Sequence, residues 1–278
     1  MAAFDLVAAD TRPPAELHAA FTGAFSDYVA GPFRMTLDEW PSLRARQGIV
    51  DALSRVALQD DAVVAFALAC PRPETGRWRL GAMGALPAAR GSGAAPALLD
   101  DFLQRARAAG AVSAELECFA RNERALRLYR SRGFEVAHEL HGWKATGAPG
   151  PGPARDVRPV AREDALAWLA RANLQIGDLP FPCTDRSQAA QPRPLTAWRC
   201  GNAQMLFSVV EGTPTHIHSL VDLDPSLVDA LALAHAVRAA HPDVVAPPVL
   251  RDDLGGAALG RAGFERQELG QVLMTLAF

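Results

Sequence analysis

The chain lacks a CxxC pair: its four cysteines, Cys70, Cys118, Cys183 and Cys200, are scattered through 278 residues. That spacing argues against a structural zinc site and a disulfide framework, and suits small buried thiols in a reducing compartment. No stretch approaches the ~18 consecutive apolar residues of a membrane-spanning helix. The opening residues MAAFDLVAAD have no basic n-region and meet an acid at Asp5, so no secretory signal is expected and the reading is cytoplasmic. Charge of one sign is not in excess either. A net charge of -3 offers no polycationic surface, so neither nucleic acid nor an anionic membrane is an expected partner. With 49% apolar and 21% charged residues, the composition is that of a globular protein with a sizeable core.

Glycine and proline crowd into one place, ATGAPGPGPAR at residues 145–155, where neither helix nor strand is expected to survive. The run reads as a linker between a first domain at 1–144 and a second at 156–278. In the first half, FDLVAAD reads as a strand and PPAELHAAFTGAFSDYV as a helix with proline at its start. Thr36 and Glu39 form a capping-box pattern ahead of a second helix. Three strand-like runs follow at hairpin spacing: SRVALQ, AVVAFALAC and RWRLGAMGAL.

Next comes RGSGAAPALLDDFLQRARAAG, residues 90–110, in which Ala95, Leu98, Leu99, Phe102, Leu103 and Ala106 share one helical stripe. Gly110 suits its C-terminus. A strand, VSAELECF, and a helix started by Asn122 and ended by Gly133 follow. Two closing strands are expected near EVAHEL and GWKA. The order β-α-α-β-β-β-α-β-α-β predicts an α/β (α+β) fold, a mixed sheet with helices on its faces.

The start of residues 90–110 is a candidate anion cradle. A helix N-terminus offers unpaired N–H groups, and Gly91, Ser92, Gly93, Ala94 and Ala95 are small enough for an anion to approach the backbone. Arg90 adds a charge-assisted contact. Pro96 stands where a dinucleotide GxGxxG fingerprint has its third glycine, and no GK[ST] follows, so nicotinamide and Walker-type readings are weak.

Taken together, LPAARGSGAAPALL and ELECFARNERALRLYRSRGF resemble the GNAT superfamily of N-acetyltransferases. Arg90, Gly93 and Ala95 occupy the R/Q-x-x-G-x-G/A positions that grip the pyrophosphate of acetyl-CoA in that family. Asn122, Tyr129, Gly133 and Phe134 match its Asn-helix-Tyr-x-x-x-Gly-Phe segment. The resemblance implies acetyl-CoA as co-substrate and an amine as acceptor. Sliding the second half by 130 residues sets LGRAGFE under YRSRGFE, Asp252 under Asn122 and Leu259 under Tyr129, with no cofactor loop. That suggests a second, degenerate GNAT-like domain.

Acyl transfer needs a neutral amine, a donor for the carbonyl oxygen and a proton for the departing thiolate. The resemblance assigns the donor to a backbone N–H near Ala85 or Leu86, and Tyr129 is the expected general acid. Asn122 would cap its helix and touch the pantetheine arm, and Glu117 is the candidate base, direct or through water. Asp27, Tyr28 and Asp51 lie in segments that border the acceptor in the family. His216 and His218 alternate along a strand, but no third ligand has metal-site spacing, so no metal is expected. The expectation is an acetyl-CoA-dependent N-acyltransferase with a small-molecule or peptide amine as acceptor, a homo-oligomer being left open. A non-catalytic acyl-CoA sensor is the alternative.

Overall fold

A computed structural model describes residues 4–148 and 150–278; residues 1–3, and Pro149 within the expected linker, lie outside them. The chain forms two compact units, one running to Ala137 and including Leu273–Phe278, the other spanning His138–Val272.

The first unit contains β1 (Asp5–Ala8), α1 (Pro14–Ala24), α2 (Trp40–Gln47), β2 (Arg55–Gln59), β3 (Ala62–Arg72) and β4 (Arg77–Ala85). α3 (Ala94–Ala108), β5 (Ser113–Phe119) and α4 (Glu123–Arg130) follow. The Thr36–Glu39 capping box forms as its sequence predicts, with Thr36 N donating to Glu39 Oε2 at 2.8 Å. It opens a short 3-10 turn that leads into α2. Asp60 and Asp61 both take the left-handed conformation that a tight β2–β3 hairpin requires. On α3 the buried stripe is Ala94, Leu98, Leu99, Phe102, Leu103 and Ala106, beginning at Ala94 and leaving Ala95 half-buried.

The second half contains β6 (Glu135–Ala145), β7 (Arg158–Val160), α5 (Arg162–Ile176), α6 (Asp185–Ala189), β8 (Thr196–Cys200) and β9 (Ala203–Ser208). β10 (Thr215–Asp222), α7 (Val228–Ala240), β11 (Val244–Leu250), α8 (Gly256–Arg261), β12 (Phe264–Arg266) and β13 (Gln271–Ala277) complete it. β6 is one continuous strand where two were expected. Gly142, the first residue of the second expected strand, lies where an added Cβ would meet Ala246 O and Pro248 N at 3.2 Å. The glycine marks close backbone approach by β11 rather than a turn.

Strand order in the first unit is β1-β2-β3-β4-β5-β13, and in the second β7-β8-β9-β10-β11-β6. The two orders are the same if β13 and β6 trade places. Each sheet is antiparallel up to its fourth strand, and the fourth pairs with the fifth in parallel. The fold is therefore mixed α/β with a largely antiparallel sheet flanked by helices. The strand exchange also explains why the units divide at 137/138 and not at the Gly/Pro run. β6 is hydrogen-bonded to β11, so that run falls inside the second unit.

Candidate active site

β4 and β5 are paired only at Arg77–Ser113, Trp78–Ala114 and Arg79–Glu115, although β4 runs on to Ala85 and β5 to Phe119. Beyond Glu115 the strands part. On the other edge of β4 a bulge falls between Leu68 and Ala69 of β3, opposite Gly81. An extra residue in one strand bends it and raises its twist, which carries β4 away from β5.

The apex of this gap is held by charge. Glu115 and Arg72 are both 0% exposed and pair at 2.6 Å, while Arg77 reaches the other Glu115 oxygen at 3.2 Å. One step along, Arg79 Nε donates to Glu117 at 2.6 Å and Arg79 Nη2 to Gln47 Oε1 at 2.9 Å. Three strands are thus tied just before two of them separate. Glu117, the candidate base, has Arg79 as an ion-pair partner, a contact that strand periodicity does not show.

The 2.8 Å hydrogen bond from Leu86 N–H to Val64 O corrects one of the two expected oxyanion donors. That N–H is already used by the β3–β4 ladder. Antiparallel ladders alternate, so the N–H of Ala85 turns to the opposite edge, toward the gap. Of the two N–H groups, only that of Ala85 is left outside the β3–β4 ladder.

Past Ala85 the chain turns through residues 87–89 into the loop at Arg90. Gly91 (φ 84°) and Gly93 (φ 98°) both adopt left-handed backbone, and nothing lies within 4 Å of a Cβ built on either. The glycines are needed for conformation, and they leave open space in front of the backbone. Among the described residues, the N–H groups of Gly91, Gly93 and Ala95 have no hydrogen-bond partner. Ser92 Oγ donates to Ala89 O at 2.5 Å and accepts weakly from Ala94 N at 3.4 Å. Pro96, third in α3, lacks an N–H where none would be paired within the helix.

Arg90, expected on phosphate, grips Asp27 through two nitrogens at 2.5 Å each and donates to Ala24 O at 3.1 Å. The guanidinium holds the Asp27 carboxyl below its usual range. Asp51 is paired with Arg44.

At the far end of β5 the only two tyrosines of the chain share a neighbourhood. Tyr28 packs edge-on to Phe119 at 5.5 Å between ring centroids. Burial pushes its phenol up to about 12; nearby Cys118 adds to the rise and hydrogen bonding with Asn122 opposes it. Tyr129 is 7% exposed, edge-on to Phe134 at 5.9 Å, and burial also drives its phenol upward, with Cys118 and Tyr28 adding to it. Its hydroxyl has no hydrogen-bond partner among the described residues. Cys118 itself is pushed up to about 12 by burial and is therefore a thiol at neutral pH.

Asn122 caps α4, its Oδ1 accepting from Ala125 N at 3.2 Å. Asn122→Ala is expected to lower stability by about 1 kcal/mol, the usual worth of such a cap. A chemical denaturation series against the parent chain checks this, and an unchanged midpoint would remove the capping role.

The signal that sequence reasoning passed over was aromatic. Phe21, Phe25, Tyr28 and Phe33 form a chain of ring contacts of 4.7–5.5 Å that leads from the core to Phe119. In the second unit His216 and His218 stack at 6.5 Å, and His218 Nε2 lies 2.7 Å from Ser208 Oγ. No group of three or more His, Cys, Asp and Glu side chains among the described residues could hold a metal ion. Likewise, no helix among them is long and apolar enough to cross a membrane.

Residues 16–134 match the family model described as Acetyltransferase (GNAT) family. A search of curated proteins finds no match. Among solved structures, the chain is similar over 99% of its length to a GCN5-related N-acetyltransferase from Sphaerobacter thermophilus, with 15% identity, 95% of that chain covered and a TM-score of 0.65. Another of that description, from Kribbella flavida, matches over 99% of this chain and 71% of its own, at 16% identity and TM-score 0.62. A third, from Anabaena variabilis, matches over 98% of this chain and 72% of its own, at 17% identity and TM-score 0.66. These likenesses concern the fold.

Proposed function

We propose, from the match of residues 16–134 to the acetyltransferase (GNAT) family model, that the first unit is an acetyl-CoA-dependent N-acyltransferase acting on a primary amine. The observation that carries this is the gap between β4 and β5, which opens beside the unpaired N–H groups of Gly91, Gly93 and Ala95. A thioester arm bonded along the free edge of β4 would reach the Ala85 N–H, with its pyrophosphate against the loop. The donor set fits the group: neutral N–H donors and a helix N-terminus for phosphate, and a strand edge for an amide-bearing arm. Acetyl-CoA supplies an acyl group activated as a thioester.

The protein's own contributions follow from position. Ala85 N–H is assigned to the carbonyl oxygen as negative charge develops there. Tyr129, protonated and with a hydroxyl free to donate, is assigned to the departing sulfur. Glu117, fixed by Arg79, is the carboxylate assigned to the amine's proton, directly or through one water. The new C–N bond forms as the C–S bond breaks, the amine proton leaves by the carboxylate side, and the thiolate gains the phenol's proton. Asn122 caps α4 and is assigned a contact to the pantetheine arm. The segment carrying Phe25, Tyr28 and Phe33 would border the acceptor. Holding both reactants side by side supplies much of the acceleration.

The experiment is release of free coenzyme A thiol from acetyl-CoA across a panel of amines. Transfer to at least one supports the reading; acetyl-CoA binding with no transfer to any amine replaces it with a non-catalytic sensor. Gly93→Asp is expected to weaken acetyl-CoA binding by about 10²-fold, because a carboxylate against phosphate is a like-charge contact costing several kcal/mol. Retained affinity would remove the loop from the site.

A further inference from the structure

From β7 to α8 the second unit repeats the order of helices and strands from β1 to α4, including the parting of its fourth and fifth strands. β10 and β11 pair only at Thr215–Val244 and His216–Val245, then run on to Asp222 and Leu250 without pairing to each other. This gap is filled. The turn Phe181–Cys183 follows α5, at the place in the order where the first unit carries its Tyr28 segment. The Cys183 thiol lies 3.4 Å from Val249 O on β11 and 3.7 Å from His218 O on β10, in hydrogen-bonding contact with both strands. Ser219 Oγ on β10 donates to Cys183 O at 3.1 Å. Phe181 is 0% and Cys183 2% exposed.

The turn is also pinned from its entrance. Asp178 accepts from Arg251 at 2.5 Å and lies 2.7 Å from His138 Nε2. A second, separate feature concerns the helix after the gap. The loop at Arg90 leaves N–H groups unpaired, whereas the 2%-exposed Asp222 carboxylate accepts from Ala230 N in the first turn of α7 and from Asp224 N, each at 2.9 Å.

We propose that the second unit is a self-occupied copy of the acyl-thioester site: the Phe181–Cys183 turn stands in its strand gap and the Asp222 carboxylate on its helix N-terminus. Both places that the first unit offers to a ligand are taken by the chain's own groups, one apolar and hydrogen-bonding, the other anionic. The second unit therefore keeps the shape of a loaded site without a cofactor. This rests on reading the β4–β5 gap as the seat of a thioester arm.

Two readouts on the full chain test it. The first is the rate at which N-ethylmaleimide modifies Cys183 in the native protein, followed by peptide mass spectrometry. Cys183 is expected to react only through opening of the second unit. Asp222→Ala should speed its modification by about 10- to 100-fold, the factor given by leaving one buried N–H, that of Ala230, without an acceptor. Asp222→Asn, which keeps the size and one acceptor oxygen, serves if the alanine variant does not fold and should fall between the two. Native reactivity like that of an exposed thiol, or no acceleration in either variant, overturns the proposal. The second readout is acetyl-CoA stoichiometry, expected to be one per chain; a second equivalent overturns the proposal. Zero equivalents would overturn the function proposed for the first unit, while the maleimide rates still decide the occupancy of the second.

Discussion

Tyr129→Phe is expected to lower turnover by about 10²- to 10⁴-fold, the usual contribution of a positioned proton donor, with acetyl-CoA affinity nearly unchanged. The change removes one oxygen from a buried ring and leaves the edge-on contact with Phe134 in place. Binding should therefore survive, since the phosphate contacts proposed for Gly91, Gly93 and Ala95 lie in a different loop. Burial raises the Tyr129 phenol above its ordinary value, so the protonated, donating form persists across the working pH range. The sign follows directly: a raised phenol pKa moves deprotonation further alkaline, so no fall in turnover at pH 8–9 should come from this group. Steady-state rates across pH, with direct binding to separate affinity from turnover, check both statements. Turnover unchanged in Tyr129→Phe would end the general-acid assignment.

A loss of comparable size, in stability, is expected for Glu115→Ala. The Glu115 and Arg72 side chains are both fully buried and 2.6 Å apart. Removing the carboxylate leaves a buried guanidinium without its shortest ion pair, with Glu74 at 3.3 Å as a weaker carboxylate contact. Breaking a buried pair from one side costs about 3–5 kcal/mol, whereas replacing both partners by apolar groups is often neutral. Glu115→Ala should therefore be much worse than the double change Arg72→Met with Glu115→Leu, as denaturant midpoints of the three chains would show. The clamp sits where β4 and β5 separate, so Glu115→Ala should also weaken acetyl-CoA binding. A loss below about 1 kcal/mol would mean the pair is not the buried tie described here.

The parts of this protein that were readable in sequence are those whose cause is local. Gly91 and Gly93 announce an open loop ahead of a helix, Thr36 with Glu39 a capping box, Asn122 a cap, and the stripe from Leu98 to Ala106 a packed helix. The parts that were not readable depend on register or on partners far along the chain. Leu86 and Ala85 look alike as donors until the β3–β4 ladder shows which N–H is spent on Val64. Glu117 looks like a strand carboxylate open to solvent until Arg79, 38 residues away, is set beside it. The exchange of β6 and β13 leaves no trace in periodicity, because either strand would alternate in the same way in either sheet. Asp222 and Cys183 have ordinary neighbours in sequence, and only the parting of β10 and β11 gives their positions meaning.

Calorimetric titration of the purified chain with acetyl-CoA, with NADH as comparison, tests the central claim most directly. The account predicts one equivalent of acetyl-CoA per chain and no NADH binding, with the acetyl-CoA heat lost in Gly93→Asp. Absence of acetyl-CoA binding would contradict it, reducing the loop at Arg90 to the start of a helix and removing the basis for acyl transfer.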